Sequence, residues 1–164
     1  MIGNLRKMGV SLTENSSSSV KYELILGESR TLLNDLIGQE ISLNYTGKIH
    51  CIHCSRKTNK SFSQGYCYPC FKSLARCDQC IMKPETCHFH EGTCREPEWA
   101  QNYCMQSHYV YLANSSDVKV GITRGDQLPT RWIDQGASQA LPIYRVDNRY
   151  LSGLVEVLCK AHVS

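Results

Sequence analysis

The chain lacks any apolar run long enough to cross a membrane and any strong excess of charge. Its 164 residues carry 18 basic and 15 acidic side chains, which gives a formal net charge of only +3. Because a transmembrane helix needs about 20 consecutive apolar residues, the sequence predicts no membrane span. So small a net charge also provides no global field that would draw the protein to nucleic acid or to a membrane surface.

The N-terminus lacks the features of a secretory signal. Residues 1–19 contain no sustained apolar core followed by a cleavage site of small residues. We therefore expect a cytoplasmic protein whose thiols are reduced and available to metal rather than joined in disulfides. The Ser-rich run at 15–19 is typical of a flexible segment, so residues 1–19 are predicted to be a flexible leader.

The middle third of the sequence has few large apolar residues but many cysteines. Nine of the ten cysteines lie between Cys51 and Cys104, and the first six form three Cys-x2-Cys pairs. Twelve residues separate the first pair from the second, a spacing that lets two tight turns close around one tetrahedral zinc ion. Reduced thiols without metal and an iron–sulfur cluster are the alternatives. The predicted ligands of this first zinc are Cys51, Cys54, Cys67 and Cys70.

The later cysteines predict a second structural zinc ion, although their spacing leaves its ligands open. The favoured set uses the shortest loop and so the smallest closure entropy. It consists of Cys77, Cys80, Cys87 and Cys94. Each site would be closed by four protein ligands, which leaves no open position for activating water.

Two alternatives use residues nearer the end of the cysteine-rich segment. Cys104 and His108 are four residues apart and would share one face if they lay on a helix. They could complete the second site in place of Cys87 and Cys94, or hold a third ion together with His88 or His90.

A basic stretch lies between Cys54 and Cys67, with aromatic residues in and just after it. Three cations within five residues suit phosphate contact, and aromatic rings suit base stacking. An equally good interpretation is that the aromatic rings form the small core over the zinc site. DNA or RNA is therefore the expected partner of the cations Arg56, Lys57 and Lys60, while the aromatic residues are Phe62, Tyr66, Tyr68 and Phe71.

Periodicity predicts an α+β fold on either side of the cysteine-rich segment. Alternation of apolar and polar residues indicates strands at 20–26, 40–49, 109–113, 118–123 and 143–146. Helical signals cover 129–135 and 151–161. The predicted divisions are a leader (1–19), a small β unit (20–49), a zinc-binding region (50–108) and an α/β domain (109–164).

The last third contains two strand motifs followed by two helical residues in a recognisable order. Tyr109-Val110-Tyr111 and Lys119-Val120-Gly121-Ile122-Thr123 form a hairpin, Arg131 follows on a short helix, and Glu156 lies on a later helix. This series resembles the GIY-YIG nuclease module. The resemblance implies that Tyr111 is the activating hydroxyl, Arg131 the phosphate clamp and Glu156 the ligand of one magnesium ion.

The departures from that module bear on the expected function. Lys119 stands where the second tyrosine of the module is expected, and the sequence ends eight residues after Glu156, so the domain is expected to be incomplete. The join of the cysteine segment to this domain, over about residues 20–164, is similar to an uncharacterised bacterial and archaeal family. We expect a zinc-stabilised nucleic-acid-binding protein with a degenerate GIY-YIG-like domain. An active endonuclease and a non-catalytic protein-interaction scaffold are the alternatives.

Overall fold

The predicted α+β class is confirmed by a computed structural model, which describes residues 1–13 and 20–163. Small antiparallel sheets alternate with a few short helices. The chain divides into two compact units, Met1–Cys67 and Tyr68–Ser164. The divisions predicted after residues 19, 49 and 108 rest on composition and remain predictions. No helix in the described ranges has the length and apolar character to span a bilayer.

The first unit begins with a three-stranded antiparallel sheet in the order β1-β2-β3. The strands are β1 (Gly9–Leu12), β2 (Val20–Leu26) and β3 (Ser29–Leu32). The prediction of β2 is confirmed, whereas β1 and β3 were not anticipated. A two-residue turn after Leu26, with glycine at its first position, suits a tight hairpin to β3. The Ser-rich run lies outside the described residues, since these omit 14–19.

The strand predicted over residues 40–49 is wrong except for its last residue. Residues 40–46 have no regular structure, and the apolar side chains that should have faced a core are exposed, Tyr45 to 75%. Alternation predicts a strand only if a partner is available to pair with it. Here β2 is already paired on one edge by β1 and on the other by β3.

A second, very short hairpin completes the regular structure of the first unit. It joins β4 (Ile49–His50) to β5 (Lys57–Thr58), with Ile49 opposite Thr58 and His50 opposite Lys57. Its loop carries the first two cysteines.

The second unit opens with short helices and turns, whereas only turns were predicted for the cysteine-rich segment. Its α-helices are α1 (Tyr68–Ser73) and α2 (Pro97–Tyr103). Between them lie single 3₁₀ turns at Ala75–Cys77, Gln79–Ile81, Pro84–Thr86 and Phe89–Glu91. Pieces of three to seven residues bury little surface of their own, so their arrangement depends on what they pack against.

The remainder of the second unit is a three-stranded antiparallel sheet with two helices. The elements are β6 (His108–Asn114), β7 (Val118–Arg124), α3 (Thr130–Asp134), β8 (Gln139–Val146) and α4 (Arg149–Cys159). The sheet order is β7-β6-β8, with β6 in the centre. The predicted hairpin, short helix, strand and long helix are therefore all present in that order.

Strand β8 is longer than the predicted 143–146. It starts four residues earlier and contains Pro142, at a register shift opposite Val110 and Tyr111. Proline is tolerated on edge strands and at bulges because the missing N–H breaks no required ladder bond. The sequence does not reveal that this strand is at an edge.

Helix α4 is present as predicted, but its apolar face is not its buried face. Leu158 is 71% exposed, whereas Ser152 and Gly153 are buried. The helix packs through Gly153 against the turn Pro84–Thr86. A Cβ on Gly153 would lie 2.6 Å from the Glu85 backbone nitrogen. Small residues thus allow α4 to approach the cysteine-rich segment closely.

Candidate functional site

The first cysteine turn is built on the β4–β5 hairpin. The Ser55 N–H donates to the Cys51 carbonyl over 2.9 Å, and the Cys51 N–H donates to the Arg56 carbonyl over 2.9 Å. Ser55 adopts a left-handed conformation with φ of 58°, which turns the chain sharply after Cys54. The hairpin therefore presents two thiols from one tight turn.

The second cysteine turn follows a tight reversal at residues 62–66. The Tyr66 N–H donates to the Phe62 carbonyl over 2.8 Å, and Gly65 has a φ of 144°. A Cβ on Gly65 would lie 2.6 Å from Ile52, whose N–H donates to the Gly65 carbonyl. Only glycine suits both this conformation and this approach. The reversal leads directly to Cys67, and Cys70 follows on α1.

The four thiols meet at distances that suit one zinc ion. Their Sγ atoms all lie within 4.8 Å of one another, and Cys54 Sγ is 3.7 Å from Cys67 Sγ. A Zn–S bond of about 2.3 Å gives a tetrahedron with an edge of about 3.8 Å. An iron–sulfur cluster would place several irons and sulfides between the thiolates, which requires wider spacing. Cys51, Cys54, Cys67 and Cys70 are thus placed to hold zinc.

The backbone around Cys51 favours the thiolate form that zinc requires. Burial by itself disfavours the charge, but N–H groups at Cys54, Cys67 and His53 outweigh it and lower the pKa of Cys51 to about 6. The thiol is therefore largely ionised at neutral pH, which reduces the proton competition that limits metal binding.

The basic stretch between the two turns is accessible. Arg56, Lys57 and Lys60 are exposed, and the Lys60 ammonium lies 5.3 Å from the centre of the Phe62 ring. Phe62 is half-buried, so it serves as local packing and as the surface on which Lys60 rests. Arg56 and Lys57 lie beside and on strand β5 of the hairpin, and their side chains are exposed to solvent.

The later cysteines surround a second, smaller space in the second unit. A cavity of about 10 Å³ is lined by four thiols, two other potential ligands and apolar side chains. The thiols are those of Cys80, Cys87, Cys94 and Cys104. Three of the four predicted ligands therefore reach this cavity. Cys77 is buried in the turn Ala75–Cys77 and does not line it.

The pair Cys77 and Cys80 differs from the first pair because the chain between them does not curl. Asp78 is extended, with ψ of 155°, and separates two 3₁₀ turns. In the first pair, by contrast, the chain turns back so that the Ser55 N–H reaches the Cys51 carbonyl. The same sequence spacing thus produces two local structures.

Asp78 and His88 also face the cavity, and together with Cys80 they place potential ligand atoms within 4.8 Å of one another. Both side chains are already engaged. Asp78 Oδ2 lies 2.7 Å from Arg95 Nε, and its Oδ1 accepts from the Gln79 N–H over 2.6 Å. His88 Nδ1 lies 2.7 Å from Thr93 Oγ1.

Cys104 and His108 do not share a helix face, contrary to the alternative drawn from their spacing. Helix α2 ends at Tyr103, and His108 begins β6. Cys104 faces the cavity, whereas the His108 ring is fully buried and its Nδ1 donates to the Gln106 carbonyl over 2.7 Å. Burial lowers the pKa of His108, so its neutral form is favoured.

Burial has the largest effect on the pKa values of two of the thiols around the cavity, those of Cys80 and Cys104. It raises the pKa of Cys80 to about 11, and the negative charges of Asp78 and the other three thiols raise it further. Burial likewise raises the pKa of Cys104. Without a cation beside them, the raised pKa values of Cys80 and Cys104 favour the neutral thiol at these two positions.

Two of the predicted catalytic residues, Arg131 and Glu156, act electrostatically on the Tyr111 hydroxyl. Tyr111 is fully buried, and Trp132 on α3 meets its ring edge-on at 6.0 Å between centroids. Burial raises the pKa of Tyr111, Arg131 and Gln135 oppose this effect, and Glu156 adds to it. Among the described residues, no group completes a hydrogen bond to the hydroxyl or to Trp132 Nε1.

Gly121 makes room for the Tyr111 ring. The two residues face each other across β6 and β7, and a Cβ on Gly121 would lie 2.7 Å from the tyrosine oxygen. Glycine is needed here because the ring lies over it.

The other predicted catalytic residues occupy unequal positions. Arg131 and Lys119 are exposed, so Lys119 lacks the burial that a proton-transfer role would require. Glu156 is 14% exposed and lies 3.2 Å from Lys160 Nζ. In the part of the chain that the structure describes, potential metal ligands gather at Cys51/54/67/70 and at Asp78/Cys80/His88, and Glu156 belongs to neither group.

Replacing Tyr111 with phenylalanine tests whether its hydroxyl lacks a hydrogen-bond partner. Because the buried hydroxyl has no partner, its removal should raise the free energy of unfolding by about 1 kcal/mol. Urea unfolding would measure the change, with half-buried Tyr109→Phe as the matched control. A loss of about 1 kcal/mol or more would mean that the hydroxyl is hydrogen-bonded in solution.

Two features of these sites were not found from the sequence. Gln135, one helical turn beyond Arg131, opposes the rise that burial causes in the pKa of Tyr111, and its spacing could have been noticed. The placement of Arg149 beside the cavity depends on long-range contacts, for which the sequence carries no local signal. Cys104, which lines the cavity, was already named as an alternative ligand of the second site.

Comparison with protein families assigns most of the chain to one of them. No curated protein and no solved structure matches the chain significantly. Residues 38–164 match the model of a family described as "Protein of unknown function (DUF2797)". This segment includes both cysteine groups and the sheet around Tyr111, and the chain belongs to the DUF2797 family.

Proposed function

We propose that this protein binds nucleic acid through phosphate contacts and does not cleave it. Its C-terminal sheet and helices would form a degenerate GIY-YIG-like domain, and zinc would stabilise its cysteine-rich part. The proposal rests on a difference in solvent exposure between two of the predicted site residues. The hydroxyl expected to activate water is buried, whereas the arginine expected to bind phosphate is exposed.

Several observations argue against cleavage. A group that activates water must reach it, and Tyr111 is fully enclosed. Burial raises the pKa of Tyr111, which disfavours the phenolate needed for proton abstraction. Glu156 is paired with Lys160, so a magnesium ion would have to displace that ammonium group.

Phosphate binding requires only accessible cations on a firm support. Arg131 is exposed on α3, which is anchored where Trp132 packs against Tyr111. In the first unit, Arg56 and Lys57 are exposed on and beside the β4–β5 hairpin. Each unit therefore offers exposed cations of the kind that contact nucleic-acid backbones.

Salt-dependent binding tests the proposal directly. Fluorescence anisotropy with single- and double-stranded DNA and RNA oligonucleotides should show affinity that falls with salt. Removing one phosphate contact should reduce the slope of log K against log salt by about 0.7 to 0.9. We expect this reduction for Arg131→Gln and also for Arg56→Gln.

The matched control is Arg30→Gln, since Arg30 is also exposed but is paired with Glu23 at 3.1 Å. It should leave affinity and slope unchanged. Equal losses in all three variants would indicate nonspecific attraction, and no binding to any oligonucleotide at low salt would reject the proposal in favour of a protein-interaction scaffold.

An active endonuclease is the second candidate, because the charges of Arg131 and Glu156 both act on the Tyr111 hydroxyl. Incubating the same oligonucleotides with magnesium or manganese distinguishes the two functions. We expect no products. Cleavage that disappears in Glu156→Ala would establish the nuclease and overturn our preference.

A further inference from the structure

We propose a second structural zinc site in which Cys80, Cys87, Cys94 and Cys104 bind the ion and Cys77 does not. The site lies within the second unit and is independent of the proposed nucleic-acid binding. It would join two 3₁₀ turns, the loop before α2 and the end of α2 itself.

The first argument is that the four cysteines line one cavity whose size suits a single ion. All four cysteines line one cavity of about 10 Å³, close to the smallest space that holds a single water molecule. The rest of the lining is largely apolar, including Ile81, Phe89 and Trp99. Four soft ligands in an apolar shell are the usual surroundings of a closed structural zinc ion.

The second argument is a half-buried cation beside two of the cysteines. Arg149 Nη2 donates to the Ile81 carbonyl over 2.6 Å, and its backbone N–H donates to the Cys104 carbonyl over 2.8 Å. Its Nε is buried and has no hydrogen-bond partner in the described part of the chain. A half-buried guanidinium group with a buried N–H that lacks a partner is stabilised by negative charge beside it.

This cation selects between the two possible ligand sets. Zinc with four thiolates carries a net charge of −2, which complements Arg149 and supplies sulfur acceptors for its N–H groups. Zinc held by Asp78, Cys80 and His88 would be neutral. In addition, Arg95 already neutralises the Asp78 carboxylate at 2.7 Å.

The third argument is the structure that the ion would stabilise. Between Ala75 and Tyr103 the only regular elements are 3₁₀ turns of three residues and the seven-residue α2. Segments of this kind bury too little apolar surface to offset their conformational entropy. The proposed ligands are spaced by six, six and nine residues, so the ion would close three successive loops.

Metal content of the full chain tests the assignment. We expect about two zinc ions per wild-type chain, as both sites are closed four-ligand sites. Cys104→Ala should bind about one and Cys77→Ala about two. Asp78→Asn and His88→Gln should also retain about two. One ion in the wild type, loss in Cys77→Ala without loss in Cys104→Ala, or loss in either control would overturn the proposal.

Cobalt substitution in the wild type gives a second readout that does not depend on a variant folding. The second cobalt equivalent should add as much sulfur-to-cobalt charge-transfer absorbance as the first, because each ion would have four thiolate bonds. A site with one thiolate would add about a quarter as much. Cys104→His should retain both ions and lose about a quarter of the second ion's absorbance, whereas loss of that ion's charge-transfer band altogether would overturn the assignment.

Discussion

Replacing Cys51 with serine is expected to remove about one zinc ion per chain and to unfold the segment around the β4–β5 hairpin. Binding of a structural zinc ion by small domains is worth about 10–16 kcal/mol, which matches or exceeds the whole stability of a typical domain. The hairpin has strands of only two residues, so it has little else to stabilise it. Hydrogen–deuterium exchange over residues 49–67 and metal analysis would measure the effect.

The matched control for this variant is Cys159→Ser, which replaces a half-buried cysteine on α4. It should retain full zinc content and wild-type exchange. Chelation of the wild-type protein should reproduce the exchange pattern of Cys51→Ser. Full zinc content in Cys51→Ser, or unchanged exchange after chelation, would contradict a structural zinc ion at this cluster.

Replacing Gly153 with alanine is expected to destabilise the second unit by about 2 kcal/mol, within the range found for overpacked cores. The new Cβ would lie 2.6 Å from both the Glu85 backbone nitrogen and Pro84 Cβ, and 2.8 Å from the Pro84 carbonyl carbon. Backbone cannot move aside as a side chain can, so α4 would have to shift. On helix propensity alone, the same change should stabilise α4 by about 1 kcal/mol.

Whether Gly153→Ala lowers or raises the free energy of unfolding shows which effect is larger, overpacking or helix propensity. Urea unfolding would give the free energy, and Val157→Ala on the exposed side of the same helix serves as a control that should change stability by less than about 1 kcal/mol. A more stable Gly153→Ala protein would show that α4 does not approach the turn Pro84–Thr86 as closely as described.

The elements predicted correctly are those in which apolar and polar residues follow a regular pattern over a short stretch of sequence. The strands β2, β6 and β7 and the helices α3 and α4 follow from alternation and helical spacing within about ten residues. The first cysteine cluster was predicted for the same reason, because a Cys-x2-Cys turn closes over four residues. Its two turns then need only one contact, the Ile52 N–H to the Gly65 carbonyl, to bring four sulfurs together.

The predictions failed where contacts with residues distant in the sequence determined the local structure. Residues 40–48 alternate like a strand, but in the described part of the chain they pair with no strand. Cys77 and Cys80 have the spacing of a zinc-binding turn, yet the extended Asp78 separates them and Cys77 does not line the cavity that Cys80 lines. The apolar face of α4 suggested burial, whereas Gly153 determines which side of the helix packs.

The sequence by itself determined the α+β class, the order of the C-terminal elements and the four cysteines of the first cluster. Only the tertiary structure decided that Tyr111 is buried, that Arg131 remains exposed, and that Cys104 rather than Cys77 faces the second cavity. The physical reason is that hydrogen-bonded turns and side-chain periodicity are local, whereas burial and convergence depend on which distant surfaces meet.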